Sequence, residues 1–135
     1  MNLVSTRIIT DDVDALADFY ATLTSGTLVR PHELFAEVHT PSATLAIGAT
    51  ATVAMFGPGS AGPADNRSVI IEFMVDDVDA EHRRLQNLGV EIVTAPTTMP
   101  WGNRSLLFRD PDGNLVNFFS PVTPEAIKKF ARFQR

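Results

Sequence analysis

Two stretches of apolar and β-branched residues, each followed by a stretch of helical periodicity, dominate the pattern of this chain. Residues 3–9 are rich in β-branched types and predict a strand, and residues 68–75 have the same character. After the first strand, apolar residues recur at helical spacing from Val13 onward, and after the second a helix is predicted over residues 78–88. The pattern therefore predicts one strand–helix unit, used twice.

The ends of the two helices are marked by residues that suit helix caps. Asp12 is a good N-cap for the first helix, and Gly26 is predicted to end it. In the second helix, Leu85 and Leu88 are predicted on the inner side, and Gly89 is predicted to cap the helix at its end. Both helices are thus predicted to be short and to pack on one apolar side.

Further strands are predicted from short apolar and β-branched runs between turn signals. They lie near residues 27–30, 34–39, 43–48, 91–94, 104–109 and 115–119. The glycine- and proline-rich residues 49–67 read as a strand remnant and a flexible linker, inside which Thr52 to Phe56 is either an edge strand or part of a lid. The tail, Pro124 to Phe133, is predicted as a short helix that docks on the domain or on a second subunit.

A repeated pentapeptide supports an internal duplication. Asp11 to Ala15 recurs as Asp76 to Ala80, 65 residues later, and both copies lie between a strand and an amphipathic helix. The predicted fold class is α+β, with two tandem βαβββ modules forming a curled mixed sheet whose helices lie on the convex face. In one domain over residues 1–135, we predict module one at about 1–50, a linker at about 51–67, module two at about 68–121 and a C-terminal helix at about 123–135.

Alternation along the strands predicts which side chains face the helices and which face a cleft. The uniformly apolar set predicted to meet the helices comprises Val69, Ile71, Phe73, Val75, Val116 and Phe118. The opposite set in module two, predicted to face the cleft, comprises Ile70, Glu72, Met74, Asn117 and Phe119. Shifting the first three by the repeat offset gives Ser5, Arg7 and Ile9 in module one. Arg7 and Glu72 therefore hold equivalent positions, and they either form a partly solvated ion pair or present charge to a ligand.

Composition and charge exclude several classes of function. The 135 residues include 11 basic and 16 acidic side chains, a net charge of −5, without a basic run, which argues against a nucleic-acid partner. The absence of cysteine excludes disulfides, thiolate metal sites and a cysteine nucleophile. No apolar stretch approaches the roughly 20 residues that a membrane span needs. We therefore expect a soluble, cytoplasmic protein with no membrane partner.

A closing hairpin carries the most specific signal in the sequence. Residues 108–119, Phe-Arg-Asp-Pro-Asp-Gly-Asn-Leu-Val-Asn-Phe-Phe, predict strand, tight turn and strand, with Asp110 accepting from backbone amides two residues on and Gly113 or Asn114 tolerating positive φ. This string, together with Pro100-Trp101-Gly102, resembles the vicinal-oxygen-chelate superfamily, which includes glyoxalases, extradiol dioxygenases and bleomycin-resistance proteins. The resemblance covers nearly the whole chain and agrees with the two-module architecture.

The resemblance also implies where a metal would be held, and the residues there are unsuitable. In metal-using members the ligands are imidazoles and carboxylates on the first and last strands of each unit. The corresponding positions here hold Ser5, Ile70 and Asn117, with Ala46 or Gly48 nearest the remaining one. We therefore expect no metal site of the family type and no cofactor. The alternative is a metal-dependent lyase or dioxygenase of the superfamily that uses displaced ligands such as Glu37, His39 and Glu72.

The resemblance to the bleomycin-resistance branch implies a homodimer and a cleft that binds a small organic molecule, aromatic or antibiotic in character. Trp101, the only tryptophan, either lines that cleft or plugs the mouth of the sheet. No catalytic residues are predicted, and a third possibility is an interaction module whose cleft is filled by its own side chains. The predicted ligand-binding residues are Ser5, Arg7, Phe35, Glu37, His39, Glu72, Trp101, Asn117 and Phe119.

Overall fold

A computed structural model describes residues 1–134 and divides into two compact units, which meet in sequence between Asn66 and Arg67. The first unit contains β1 (Ser5–Thr10), α1 (Val13–Thr24), β2 (Thr27–His32), β3 (Phe35–His39), β4 (Thr44–Ala49), a 3-10 turn (Thr50–Thr52) and α2 (Val53–Phe56). The second unit contains β5 (Ile70–Met74), α3 (Val78–Asn87), β6 (Ile92–Thr98), β7 (Asn103–Arg109), β8 (Leu115–Pro121), α4 (Pro124–Phe130) and a 3-10 turn (Ala131–Phe133). The last residue of the predicted C-terminal helix, Arg135, lies outside the described residues.

Each unit forms its own four-stranded mixed sheet, with the same order of strands. The orders are β1-β4-β3-β2 and β5-β8-β7-β6. In each sheet the first and last strands of the unit pair in parallel, and the other neighbours are antiparallel. The predicted α+β class and the two tandem βαβββ modules are confirmed. Over residues 1–134, no helix has the length and apolar character needed to cross a membrane.

The repeated pentapeptide has the same structural role in both modules. Asp12 Oδ1 accepts a hydrogen bond of 3.0 Å from the backbone N–H of Ala15 at the start of α1. Asp77 Oδ1 accepts an equivalent bond of 3.0 Å from the backbone N–H of Ala80 at the start of α3. Each aspartate thereby satisfies one backbone donor that the first helical turn leaves free. The duplication visible in the sequence is therefore a duplicated capping device.

The predicted end of α3 is confirmed. Gly89 adopts a φ of +73°, and its N–H donates to the carbonyl of Gln86 at 3.1 Å. The next residue, Val90, donates to the carbonyl of Leu85 at 3.1 Å, which completes a Schellman motif. The prediction for Leu88 is wrong, because this side chain is exposed at the very end of the helix. Of the two leucines, only Leu85 is buried in the core.

The predicted end of α1 needs a correction. The left-handed residue is Ser25, with a φ of 55°, and Gly26 is not the cap. Gly26 is instead required by close packing. A Cβ at that position would lie 2.8 Å from Val38 Cγ1 and 2.9 Å from the carbonyl oxygen of His39, so the neighbouring strand leaves no room for a side chain.

The core of each module lies between its long helix and one face of its sheet. In module one the buried residues on these surfaces are Leu16, Ala17, Tyr20, Leu23, Ala36, Val38, Leu45 and Ile47. In module two they are Val78, Leu85, Leu106, Phe108, Val116 and Phe118. Phe118 makes edge-to-face contacts with Phe108 at 4.9 Å and with Phe73 at 5.9 Å between ring centroids. The strand faces predicted from alternation therefore hold for Phe73, Val116 and Phe118, and Phe108 belongs to the helix side. The prediction for Val69 is wrong, because this residue precedes β5 and its side chain is 52% exposed.

Two local predictions have opposite outcomes. The segment Thr52 to Phe56 is helical, so the edge-strand alternative is wrong. Its short apolar run has no periodicity that distinguishes a strand from a helical turn, and the Thr52 hydroxyl donates to the Ala49 carbonyl at 2.7 Å, which closes the turn. The closing hairpin is confirmed: Asp110 Oδ1 accepts from the backbone N–H of Asp112 and of Asn114, both at 2.9 Å, and φ of Gly113 is +82°.

Candidate functional site

The strand register identifies equivalent positions on the two sheet faces that lie opposite α1 and α3. Arg7 of β1 pairs with Ala46 of β4, and Glu72 of β5 pairs with Asn117 of β8. Because Arg7 and Glu72 are related by the repeat, Ala46 is the counterpart of Asn117. The sequence alone leaves this position between Ala46 and Gly48, and the register decides it.

On this face of module one, Arg7 is held by two aromatic rings. Its guanidinium carbon lies 4.7 Å from the ring centroid of Phe35 and 5.3 Å from that of Phe56. Gly48, in the strand next to Arg7, has no side chain to compete for this space. A Cβ at Gly48 would lie 3.5 Å from Arg7 Nη1. We refer to Arg7, Phe35 and Phe56 as the Arg7 cluster.

The guanidinium of the Arg7 cluster keeps its hydrogen-bond donors free. Arg7 is exposed, and within residues 1–134 its side chain makes no hydrogen bond or ion pair. The acid on the same register row, Glu37, is two strands away and is paired elsewhere, with its Oε1 3.4 Å from His39 Nε2. Glu37 and His39 of β3 are therefore partners of each other, while the Arg7 guanidinium contacts aromatic rings.

On the corresponding face of module two, Glu72 and Asn117 form a polar pair. Asn117 Nδ2 donates to Glu72 Oε2 at 2.8 Å, which fixes the orientation of the carboxamide. Its other polar atom, Oδ1, is buried and has no partner among the described residues. Asn117 is only 8% exposed. A buried carbonyl oxygen without a donor is a local cost, because its desolvation is not compensated.

The remaining predicted aromatic residues of module two are placed very differently. The ring of Phe119 is buried against Phe130 of α4, with centroids 5.1 Å apart, so α4 covers this part of the face. Trp101 is 67% exposed in the turn between β6 and β7. That turn contacts the start of α4, where the carbonyl of Gly102 accepts from the N–H of Val122 at 2.8 Å.

The structure brings some predicted site residues together and leaves others apart. Arg7 and Phe35 are in contact, as are Glu37 with His39 and Glu72 with Asn117. Ser5 is exposed at the start of β1, beside Thr44. Neither Phe56 nor Phe130 is among the predicted ligand-binding residues. The apolar spacing of Ile127, Phe130 and Phe133 predicts that the tail docks, but only the structure identifies Phe119 as its contact.

The residues at the family's ligand positions do not suit a metal ion. Ile70 offers no donor atom, Ser5 offers a neutral hydroxyl, and Asn117 offers only a neutral amide oxygen. Divalent ions in such folds need imidazole or carboxylate ligands. The displaced pair Glu37 and His39 provides two donors, but no group of three or more His, Cys, Asp or Glu side chains able to hold an ion occurs within residues 1–134.

Comparisons with solved structures agree with this architecture. The chain is similar to a glyoxalase/bleomycin resistance protein/dioxygenase from Nocardioides, with a TM-score of 0.76 and 23% identity, covering 92% of this chain and 85% of that one. It is also similar to a glyoxalase/bleomycin resistance protein/dioxygenase family enzyme from Burkholderia phytofirmans PsJN, with a TM-score of 0.78 and 19% identity over 90% of this chain and 100% of that one. A protein of unknown function from Agrobacterium tumefaciens str. C58 gives a TM-score of 0.76 and 22% identity, covering 90% and 95%. At these identities the likeness shows the fold alone.

The sequence itself identifies the family. No curated protein gives a significant match. A family model, however, matches residues 2–118, which include every strand of the first module and the closing hairpin of the second up to Phe118. The chain therefore belongs to the Glyoxalase/Bleomycin resistance protein/Dioxygenase superfamily.

Proposed function

We propose that this protein binds a small organic molecule on the sheet face of its first module that lies opposite α1, without a metal ion of the family type. The observation that carries this proposal is the Arg7 cluster. An exposed guanidinium with unused donors lies beside Phe56, which is itself 68% exposed. Small-molecule sites combine apolar and aromatic surface with a few oriented polar groups, and this cluster has that composition.

Module two carries an oriented polar pair on the corresponding face of its own sheet. Asn117 Oδ1 lacks a donor, while the amide that carries it is held in one orientation by Glu72. Because that oxygen is buried, it is not exposed to a ligand as the Arg7 guanidinium is. Family-type metal chemistry receives no support from these residues, because Ser5 and Ile70 do not replace the missing imidazoles and carboxylates.

Thermal unfolding against a panel of neutral, cationic and anionic aromatic compounds tests the proposal. A bound compound stabilises the folded state by mass action, by about 2.7 kcal/mol at a concentration one hundredfold above its Kd. We expect at least one compound to raise Tm, equally before and after treatment with a chelator. A panel that leaves Tm unchanged would contradict the proposal.

Elemental analysis of protein purified without added metal provides the matched control. We expect less than stoichiometric zinc, iron, manganese and nickel. Stoichiometric metal together with chelator-sensitive binding would favour the lyase or dioxygenase alternative, in which Glu37, His39 and Glu72 serve as displaced ligands. The homodimer implied by the bleomycin-resistance branch is a separate prediction, which sedimentation analysis of the purified protein tests.

A further inference from the structure

We infer that the Arg7 cluster binds the carboxylate of a planar aromatic ligand, an inference that rests on the proposed binding function and specifies its ligand class. The first step is the geometry of the cluster. Arginine presents its N–H groups in the plane of a rigid fork that matches a carboxylate. Phe35 and Phe56 lie close to the guanidinium carbon at 4.7 Å and 5.3 Å, and neither ring accepts the N–H groups as a carboxylate does.

Second, within the described residues, no acidic side chain competes with a ligand for the Arg7 guanidinium. The chain has 16 acidic and 11 basic side chains, yet no carboxylate within the described residues pairs with Arg7. The nearest acid along the register row, Glu37, is engaged with His39 instead. Within the described residues the Arg7 guanidinium is thus an oriented cation with free donors, which is the complement of an oxyanion.

The third step is the space around the guanidinium. Gly48 places only backbone beside Arg7, and Phe56 lies on the short helix α2 with two thirds of its surface in solvent. A carboxylate that pairs with the donors of Arg7 brings its attached ring beside Phe56. Aromatic rings stabilise such an arrangement through offset or edge-to-face packing. The cluster therefore favours a ring that carries an acid over an aliphatic acid or a neutral ring.

Three naphthalene derivatives whose polar groups are anionic, neutral and cationic provide the test: naphthoate, naphthamide and naphthylmethylammonium. Isothermal titration calorimetry of the full chain measures their Kd values. We expect naphthoate to bind about tenfold or more tightly than naphthamide, and the ammonium compound to bind most weakly, since charge-assisted bonds to arginine are the strong term. Arg7→Met should reduce naphthoate affinity to that of naphthamide, and Arg7→Lys should give an intermediate value because it keeps the charge and loses the fork.

Arg132 provides a matched control, because it also lies over a phenylalanine ring, Phe133, at 4.6 Å, but on the C-terminal tail. Arg132→Met removes the same charge and should leave the Kd for naphthoate unchanged. Phe56→Ala, at an exposed position, should weaken naphthoate and naphthamide alike. Equal losses in Arg7→Met and Arg132→Met would overturn the assignment to the cluster.

The outcomes separate this inference from the proposed function. If naphthamide or the ammonium compound binds as tightly as naphthoate, the carboxylate inference fails while small-molecule binding stands. If no compound of the wider aromatic panel binds, the proposed function fails and the inference fails with it. Circular dichroism of each variant verifies that a lost affinity does not come from a lost fold.

Discussion

The two modules share a strand order and a capping device, yet they complete the same sheet face in opposite ways. The register places Gly48 of module one and Phe119 of module two at equivalent positions, each two residues along the strand from the partner of Arg7 or Glu72. In module two, a helix after the last strand, α4, packs Phe130 on Phe119. In module one, a helix after the last strand, α2, brings Phe56 to Arg7 instead.

This difference shows how a duplicated fold separates stability from binding. Module two covers its face with two of its own phenylalanine rings, and the inner one, Phe119, is only 7% exposed. Module one replaces the buried ring with a glycine and uses the space for a charged side chain. A buried ring contributes to folding free energy, while an exposed arginine contributes little and stays available to a ligand. The predictions below test that division.

The largest expected effect is the loss of a buried ring in module two. Phe119→Ala should lower the free energy of unfolding by about 3 to 5 kcal/mol, the usual cost of truncating a buried phenylalanine. Phe35→Ala, the matched change in module one, should cost clearly less because the ring is only half-buried. Urea unfolding monitored by circular dichroism measures both. Equal losses would contradict the view that only module two uses this face for stability.

The next largest loss of stability is expected from a change in the turn between β6 and β7, which contacts the start of α4. Gly102 has a φ of +97°, and a Cβ there would clash with Thr123 Oγ1 and lie 3.0 Å from Ala126 Cβ. Thr123 caps α4, its Oγ1 accepting from the Ala126 N–H at 3.3 Å. Gly102→Ala should therefore combine left-handed strain with a damaged cap, at about 2 to 3 kcal/mol in sum.

Gly113 separates the two contributions. Its φ is +82°, but a Cβ at that position would have no neighbouring atom within 4 Å. Gly113→Ala should cost only the strain of about 1 to 2 kcal/mol. The difference between the two midpoints in urea measures the contribution of the contact with α4. If both variants lose the same amount, the turn does not support the helix.

Arg7→Met should have a smaller effect on the fold than any of the three changes in module two. The side chain is exposed, and exposed cation–π contacts contribute about 0.5 to 1 kcal/mol. Methionine keeps the apolar contact with the rings, which offsets part of that loss. The free energy of unfolding in the absence of ligand should thus fall by less than about 1 kcal/mol. A loss as large as that of Phe119→Ala would make Arg7 a structural residue.

The features of the two modules that could be predicted from the sequence are those with a local physical cause. Alternation predicts the faces of Glu72 and Asn117, because a strand has a period of two and its core side is uniformly apolar. The hairpin follows from Asp110 and Gly113, whose turn chemistry is local. These two features follow from local rules and are predicted correctly.

The parts that the sequence does not predict depend on contacts between distant residues. Helix α2 comes from a five-residue apolar run that fits either secondary structure, so Phe56 gains its neighbour Arg7 only in three dimensions. Gly26 has the residue type of a cap, and its close approach to Val38 leaves no local trace in the sequence. The coverage of Phe119 by Phe130 likewise requires knowledge of how the tail folds back.

The smallest expected effect is on the pH dependence of stability. In each module, an aspartate in the first turn of the long helix contacts an arginine. In module two, Arg104 Nε and Nη2 donate to Asp79 Oδ2 and Oδ1 at 3.0 Å and 2.9 Å. In module one, Arg30 Nη1 makes a single contact of 2.7 Å with Asp14 Oδ1. The hydrogen bonds from Arg104 hold the pKa of Asp79 below its ordinary value of 3.8.

The sign of the pH dependence follows from that lowered pKa. A carboxylate with a depressed pKa in the folded state adds stability that is fully present above its unfolded pKa and is lost as the pH falls through the folded one. The midpoint of urea unfolding of the native protein should thus exceed that of Asp79→Asn at neutral pH, and the two should converge below the ordinary value of 3.8. Asp14→Asn controls for the helix dipole, since Asp14 and Asp79 are both the second residue of their helices. We expect the difference in midpoint between the native protein and Asp14→Asn to depend less on pH, because Arg30 makes one contact with Asp14 where Arg104 makes two with Asp79. If both differences have the same pH profile, the helix end, and not the paired guanidinium, stabilises the charge.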